Sequence, residues 1–376
     1  MKKLCIICIA CIALLSSCSD NYNNVVVPAA GSTINWTAAA DSSTASLIAN
    51  FWNPTDHYFN DATTGTNFQY WPQAHGLDVL VDAYLRTNDA KYKTYFDQWY
   101  AGVQVGNGGS FINNFYDDME WNALSLLRTY TATKDDKFKI AAQTVWADIQ
   151  TGWNTNGGGG IAWNKNQLWS KNACSNGPAC ILAARLFQQF GDTINKTWAL
   201  KIYDWEKNVL FDPSTGAVND NLNVASGVIS NYISTYNQGT FIGSAVELYN
   251  ITKDKTYLND AVKAANYTIN KLTNNRILNA EGKGDLALFK GIFIRYFTEL
   301  IQCQGIDSAT RDRFVLFLKY NASGLWLNGI NKQYVTCTSD WTTAPNFLSQ
   351  TELNAQESGC MLVEAAALLS KAGDFK

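Results

Sequence analysis

Apolar residues recur at three- and four-residue intervals along most of this chain. In the segment AHGLDVLVDAYLRT, Leu77, Leu80, Val81 and Tyr84 share one side of the helical turn, the stripe of a helix with one buried face. Tyr92, Phe96 and Trp99 repeat the spacing, as do Trp121, Leu124, Leu127 and Tyr130. The same reading predicts helices over about 41–53, 135–150, 173–190, 195–210, 238–252, 254–273, 286–303, 306–320 and 353–371. Strict alternation of apolar and polar residues, the mark of a half-buried strand, is scarce. The pattern therefore predicts an all-α protein of about twelve helices.

The segments leading into these helices are of two kinds. Six helices are entered through polar, aromatic or glycine-rich stretches: Tyr70–Gln73, Asn113–Asp118, Gly157–Asn176, Thr235–Gly239, Gly282–Asp285 and Ser349–Thr351. The others follow short turns of Asp, Lys and Asn, such as Thr133–Asp136 and Thr252–Lys255. The alternation recurs roughly every 40 to 70 residues, which suggests repeated helical hairpins. Hairpins in a closed double ring make an (α/α)6 toroid, with the six unusual entrances converging at one end. An open tetratricopeptide solenoid fits less well, because its unit has a fixed length of about 34 residues.

The amino terminus follows another rule. Met1-Lys2-Lys3 is positive, and Leu4 to Leu15 is an apolar run of about a dozen residues, enough for a signal-peptide core and too short to span a bilayer. It ends in Leu15-Ser16-Ser17-Cys18, which resembles a bacterial lipobox, where cleavage precedes a cysteine that carries lipid. The expected organisation is a signal peptide over 1–17, lipidated Cys18 with a polar tether to residue 34, and one toroidal domain over 35–376. The expected location is a bacterial outer membrane, facing the periplasm or the cell surface, with a monomer held to the membrane by its lipid. Of nine cysteines, Cys5, Cys8 and Cys11 leave with the signal and Cys18 is lipidated. Cys174, Cys180, Cys303, Cys337 and Cys360 remain, an odd number that cannot pair fully. Cys174 and Cys180 either close a small loop or pack as free thiols, and packing is the preferred reading.

Composition narrows the chemistry. Only 16% of residues are charged and the net charge is −3, so there is no basic excess to neutralise nucleic-acid phosphates. Aromatic residues make up 13% and Asn about one residue in ten, a profile suited to a neutral, hydroxylated ligand. With two His, no CxxC pair among the five remaining cysteines and no HExxH motif, no metal site and no cofactor is expected.

The sharpest local feature is NNFYDDMEW, where Asp117 and Asp118 open a helix. One acid there is an ordinary partner for the helix dipole. Two in a row, after an aromatic-amide run, are less easily explained that way. Successive Cα atoms lie about 3.8 Å apart and successive helical side chains diverge by about 100°. Two carboxyls can then stand about 5 Å apart across a sugar, near the separation of a retaining glycosidase. Mutual repulsion raises one pKa, leaving one proton donor beside one ionised group. Local physics leaves catalysis and capping both open.

The wider chain resembles glycoside hydrolase family 76, the α-1,6-mannanases. The resemblance is carried by YWPQAHGLDVLVDAY, DDMEWNALSLLRTY, GGGIAWNKNQ, SKNACSNGPACILAARL, YNQGTFIGSAVELYNIT and GDLALFKGIFIRYF, in order along nearly all of the mature sequence. It implies an (α/α)6 toroid and cleavage of α-1,6-linked mannan with retention, and so α-1,6-mannan or manno-oligosaccharides as partners. By matching positions it implies that Asp117 is the nucleophile and Asp118 the general acid/base. Around them, Trp71, Trp121, Trp163 and Tyr236 are candidates to stack on sugar faces or to serve as core. His75, one turn after Trp71, is a candidate sugar or carboxylate contact, or a core histidine. Asn172, Asn176, Asn237 and Gln238 suit vicinal hydroxyls, and equally turns and caps. Asp285 and Lys290 stand near another entrance as candidate subsite contacts. The Gly157–Gly160 run lacks the Lys-Ser/Thr of a phosphate loop and reads as backbone in close approach. Competing functions are a mannan transglycosylase, a non-catalytic glycan-binding lipoprotein, and another toroidal enzyme such as a lyase or epimerase. A lyase acting on uronic acids needs cations at its site, and these segments carry few.

Overall fold

The computed structural model describes residues 34–346 and 351–375. The signal segment, Cys18 and the tether up to residue 33 lie outside the described residues. Twelve α-helices run through them: α1 (Trp36–Phe51), α2 (Tyr70–Thr87), α3 (Lys91–Gly106), α4 (Tyr116–Thr133), α5 (Asp136–Ile149), α6 (Gly177–Phe190), α7 (Thr193–Val209), α8 (Thr235–Thr252), α9 (Lys255–Lys271), α10 (Phe289–Gln302), α11 (Ser308–Gly324) and α12 (Leu353–Lys371).

Burial divides them into two sets. The even-numbered helices are enclosed almost all round; α12 is buried at every position from Leu353 to Ala367. The odd-numbered ones bury one stripe, as α9 does with Leu258, Ala261, Ala264, Ala265 and Thr268. A helix apolar on every side needs neighbours on every side. The even helices supply them by packing in sequence, α2 on α4, α4 on α6, α6 on α8, α8 on α10, α10 on α12, and α12 back on α2. The odd helices cover the outside, α3 on α2, α5 on α4, α7 on α6 and α9 on α8, with α1 and α11 against α12. This is the (α/α)6 toroid that the alternation predicts.

The two sets also start differently. Outer helices α1, α5, α7, α9 and α11 are capped by Asn35, Asp135, Asp192, Asp254 and Asp307, whose side chains accept from the first-turn N–H groups. None of the six inner helices has a side-chain cap. Their free N–H groups and positive dipole ends collect at one mouth. At the opposite end the chain reverses tightly: α2, α4, α6 and α8 stop at left-handed residues Asn88, Lys134, Gly191 and Lys253.

That opposite end, the floor, is closed by ion pairs. Arg86 of α2 binds Glu364 of α12 at 2.8 Å and Asp41 of α1 at 2.6 Å. Arg128 joins Asp78 at 2.8 Å and also Asp82, while Arg185 reaches Glu247 at 2.5 Å and Glu299 at 2.7 Å.

Helix boundaries shift by up to five residues from the periodic reading, as at α1 and α6. Helix α1 begins at Trp36 because Asn35 caps it, and stops at Phe51 because Trp52–Asn53 pairs with Tyr58–Phe59 in a short hairpin. The stretch from residue 173 is not one helix: Ala173–Ser175 forms a 3-10 turn, and α6 starts after it at Gly177, with Pro178 in its first turn. A small three-stranded antiparallel sheet of Ser170–Asn172, Asn221–Asn223 and Val228–Ile229 joins the loops before α6 and α8.

Candidate active site

The start of α4 is held by the loop before α6. The Tyr116 N–H donates to the Trp163 carbonyl at 3.0 Å, and Phe115 bridges to Asn164. The loop reaches this place by pressing glycine against indole. Gly159 and Gly160 have φ of 132° and 82°, and a Cβ on either would fall within 3 Å of Trp153 or Trp205. The glycine run thus packs on tryptophan, with Trp205 Nε1 donating to the Gly157 carbonyl at 2.9 Å.

Asp117 receives two donors on one oxygen: Trp163 Nε1 lies 3.1 Å and Cys174 Sγ 3.2 Å from its Oδ2, while Oδ1 has no hydrogen-bond partner among the described residues. Burial raises its pKa to about 6, and the two donors pull the other way. Asp118 is raised further, by burial, by the charge of Asp117 and by the charge of Asp285. Among the described residues no donor reaches its side chain. The pair is therefore asymmetric: Asp117 ionises first and Asp118 keeps its proton. The other Asp-Asp pair, Asp135–Asp136, caps α5 in the open and has no such surroundings.

Other inner-helix starts build the rest of the mouth. Trp71 of α2 donates from Nε1 to Asp285 Oδ1 at 2.9 Å, joining two entrances far apart in sequence. Below it, His75 lies 5.5 Å from the Trp71 ring and 5.0 Å from the Trp121 ring, buried, with neither nitrogen hydrogen-bonded. Burial lowers its pKa to about 3, so the imidazole is neutral. Trp121 is buried and forms the inner wall. Tyr236 of α8 packs on Phe289 at 3.9 Å, and its hydroxyl lies beside Cys174 and 3.5 Å from Asp220. Asn237 Nδ2 donates to Asp220 at 3.1 Å. Asn172, nearly buried in the small sheet, accepts from Ser170 at 2.7 Å.

Three expected contacts are corrected by the structure. Asn176 is fully buried, and its amide binds the Ile161 backbone on both sides and the Asn172 carbonyl. Gln238 is equally buried, accepting from Val218 and donating to the carbonyls of Gly216 and Ala264. Lys290 points its ammonium at the Ser339 carbonyl and over the Trp341 ring, 4.0 Å from its centroid. All three tie loops to the barrel, because an amide or ammonium buried in a helix start is satisfied first by nearby backbone. Sequence reasoning missed Asp220, which stands in none of the quoted motifs, and the hydrogen bond of Cys174, which stands in one that does not reveal its partner.

All five described cysteines are free and buried, as packing predicts. Among the described residues no group of three or more His, Cys, Asp or Glu is arranged to hold a metal. A cavity of about 260 Å³ lies at the floor, lined by Arg86, Arg128, Arg295, Glu299 and Glu364. Its charges largely neutralise one another, and no acid pair like that of the mouth is present there.

A helical toroid with two unequal acids in a cation-poor aromatic mouth has the layout of a carbohydrate-active enzyme. The chain belongs to glycosyl hydrolase family 76, whose profile matches residues 35–374. It is similar to the solved GH76A α-1,6-mannanase of Salegentibacter sp. HEL1_6, at 39% identity and a TM-score of 0.87, over 89% of this chain and all of that one. A variant of that enzyme with two consecutive aspartates replaced by asparagine is described as inactive and was solved with α-1,6-mannotriose. Among fungal relatives, a putative mannan endo-1,6-α-mannosidase of Schizosaccharomyces pombe is 27% identical over 291 residues, 68% of this chain and 62% of that protein. A mannan endo-1,6-α-mannosidase of Candida albicans is 29% identical over 197 residues, 50% of this chain and 40% of that protein. The chain thus spans less than two thirds of the length of these fungal relatives.

Proposed function

We propose that the protein is an endo-acting, retaining α-1,6-mannanase. The observation that carries this reading is the asymmetric pair at the start of α4: two adjacent acids, one with two donors and one with none. Asp117, kept ionised by its donors, attacks the anomeric carbon. Asp118, kept protonated by burial and by neighbouring negative charge, gives its proton to the departing glycosidic oxygen. A mannosyl ester on Asp117 results. Asp118, now a carboxylate, takes a proton from water, whose oxygen attacks the same carbon and returns the electron pair to Asp117. Trp71, Trp163 and Tyr236 offer ring faces to a neutral sugar, and neutral His75 beneath Trp71 adds a hydrogen-bonding group without charge. The substrate named for the Salegentibacter enzyme supports α-1,6-mannan here.

The lipobox supports a place at the outer envelope, with Cys18 lipidated. Incubation with debranched α-1,6-mannan tests the activity. A ladder of manno-oligosaccharides is expected on product sizing; mannose as sole product overturns endo action, and no product overturns the activity. Products longer than the starting chain, formed with an added mannoside acceptor, would instead mark a transglycosylase.

A further inference from the structure

We propose that Cys174 is a positioning residue for the nucleophile: its thiol, together with the Trp163 indole, holds Asp117 Oδ2 and reserves Oδ1 as the oxygen that bonds to the sugar. The inference rests on the reading of Asp117 as nucleophile.

The placement of this thiol is over-determined. Cys174 sits in the 3-10 turn Ala173–Ser175, where Ala173 N–H donates to the Asp220 carbonyl at 2.8 Å and Asn176 N–H to the Ala173 carbonyl at 3.1 Å. Ser175 Oγ reaches the carbonyls of Ile161 and Asn172. The turn is thus fixed both to the loop that carries Trp163 and to Asp220, just ahead of the Asn221–Asn223 strand. Cys180 and Cys337 direct their sulfur at backbone carbonyls, as buried thiols commonly do, whereas Cys174 faces a carboxylate. Against a carboxylate, a thiol can only donate. It stays able to donate, because burial and the nearby charges of Asp117, Asp220 and Glu120 push its ionisation well up.

Two donors engage Oδ2 while Oδ1 is left without one among the described residues, so the electron pair that forms the bond to carbon comes from Oδ1. In the first step the Oδ1–C1 bond forms, the bond from C1 to the glycosidic oxygen breaks, and the Asp118 proton goes to that oxygen. Oδ2 becomes the ester carbonyl, still held by both donors. In the second step the water oxygen bonds to C1, Oδ1 leaves with the electron pair, and the returning negative charge is shared with Oδ2, where thiol and indole receive it. The thiol therefore favours release of the sugar from Asp117 and lowers the pH at which Asp117 ionises.

Cys174→Ala and Cys174→Ser separate this role from packing. For Cys174→Ala, kcat on α-1,6-mannan is expected to fall about tenfold with KM little changed, and the acid limb of the kcat/KM profile to move up by about half a pH unit. The Cys174→Ser variant, which restores a donor, should recover most of both. Wild-type kinetics in the alanine variant, or equal damage in both variants, overturns the inference. If the wild type cleaves no mannan, the functional reading fails by itself, and a second readout decides. Labelling of Cys174 by methyl methanethiosulfonate, followed by mass spectrometry across pH, should show the thiol ionising at lower pH in Asp117→Asn than in wild type. Identical labelling profiles overturn the contact.

Discussion

The two ends of the barrel handle buried charge in opposite ways. At the mouth, Asp117, Asp118 and Glu120 have no cationic partner among the described residues, and burial raises the pKa of each. At the floor the enclosed acids face guanidinium groups: Arg295 and Arg128 overcome the effect of burial at Asp78 and its pKa is lowered, while at Glu364 and Glu299 Arg86 and Arg185 offset burial only in part. The helix termini explain the division. Inner-helix N-termini tolerate acids without cations, because the positive end of the helix dipole lies there; C-termini present carbonyls and favour guanidinium. Each end thus pairs its residues with the sign of its dipole, but only the floor completes the pairing. The mouth keeps reactive groups that are costly to bury, and the floor secures the fold.

The strongest way to break this contrast is substitution at each end. Asp117→Asn should lower kcat by about four orders of magnitude, with the far-UV circular dichroism unchanged and thermal stability equal or higher. A mouth that lost stability with its acid would contradict the division. Arg128→Met should do the reverse. It leaves Asp78 and Asp82 short of their closest cation and should cost about 3 kcal/mol in urea unfolding, while kcat per folded molecule stays near wild type.

The pH dependence sharpens the comparison with a smaller effect. Asp117 must be ionised, so kcat/KM should fall as pH drops through about 6. Stability should move the other way. Carboxyls with raised pKa values, Asp117, Asp118, Glu120, Glu206 and Glu357, hold protons in the folded state at pH values where the unfolded chain has released them. Each therefore costs stability as pH rises from about 4 through its folded value. His75, held neutral down to about 3, opposes them as a single group. The floor contribution of Asp78 is present above about pH 4 and lost only below it. Tm should be higher at pH 5 than at pH 7 while kcat/KM is lower; a parallel change in both would refute the assignment.

Much of this was legible in the residues. The barrel was readable because even-numbered helices follow unusual segments, whereas α5, α7, α9 and α11 follow Asp-bearing turns that prove to be their caps; the all-round burial of the even helices was not, because α2 and α4 show only one apolar stripe. Asp117–Asp118 was readable through its aromatic-amide lead; Asp135–Asp136 has the same dipeptide and lacks that context. Cys174 and Asp220 were not readable, since the thiol meets an acid 57 residues away and Asp220 is defined by partners on α8. Asn176, Gln238 and Lys290 misled for a physical reason. The groups that suit a sugar hydroxyl suit a peptide equally, and proximity in a packed helix start favours the peptide.

Arg86 carries one more consequence. Its salt bridge to Glu364 fastens the first inner helix to the last across 278 residues of chain. A circular wall has no useful partial form, so a chain lacking α12 holds every proposed reacting group and still has no enclosed mouth. The ring is therefore closed only where α2 and α12 meet, and the Arg86–Glu364 clasp sits at that seam.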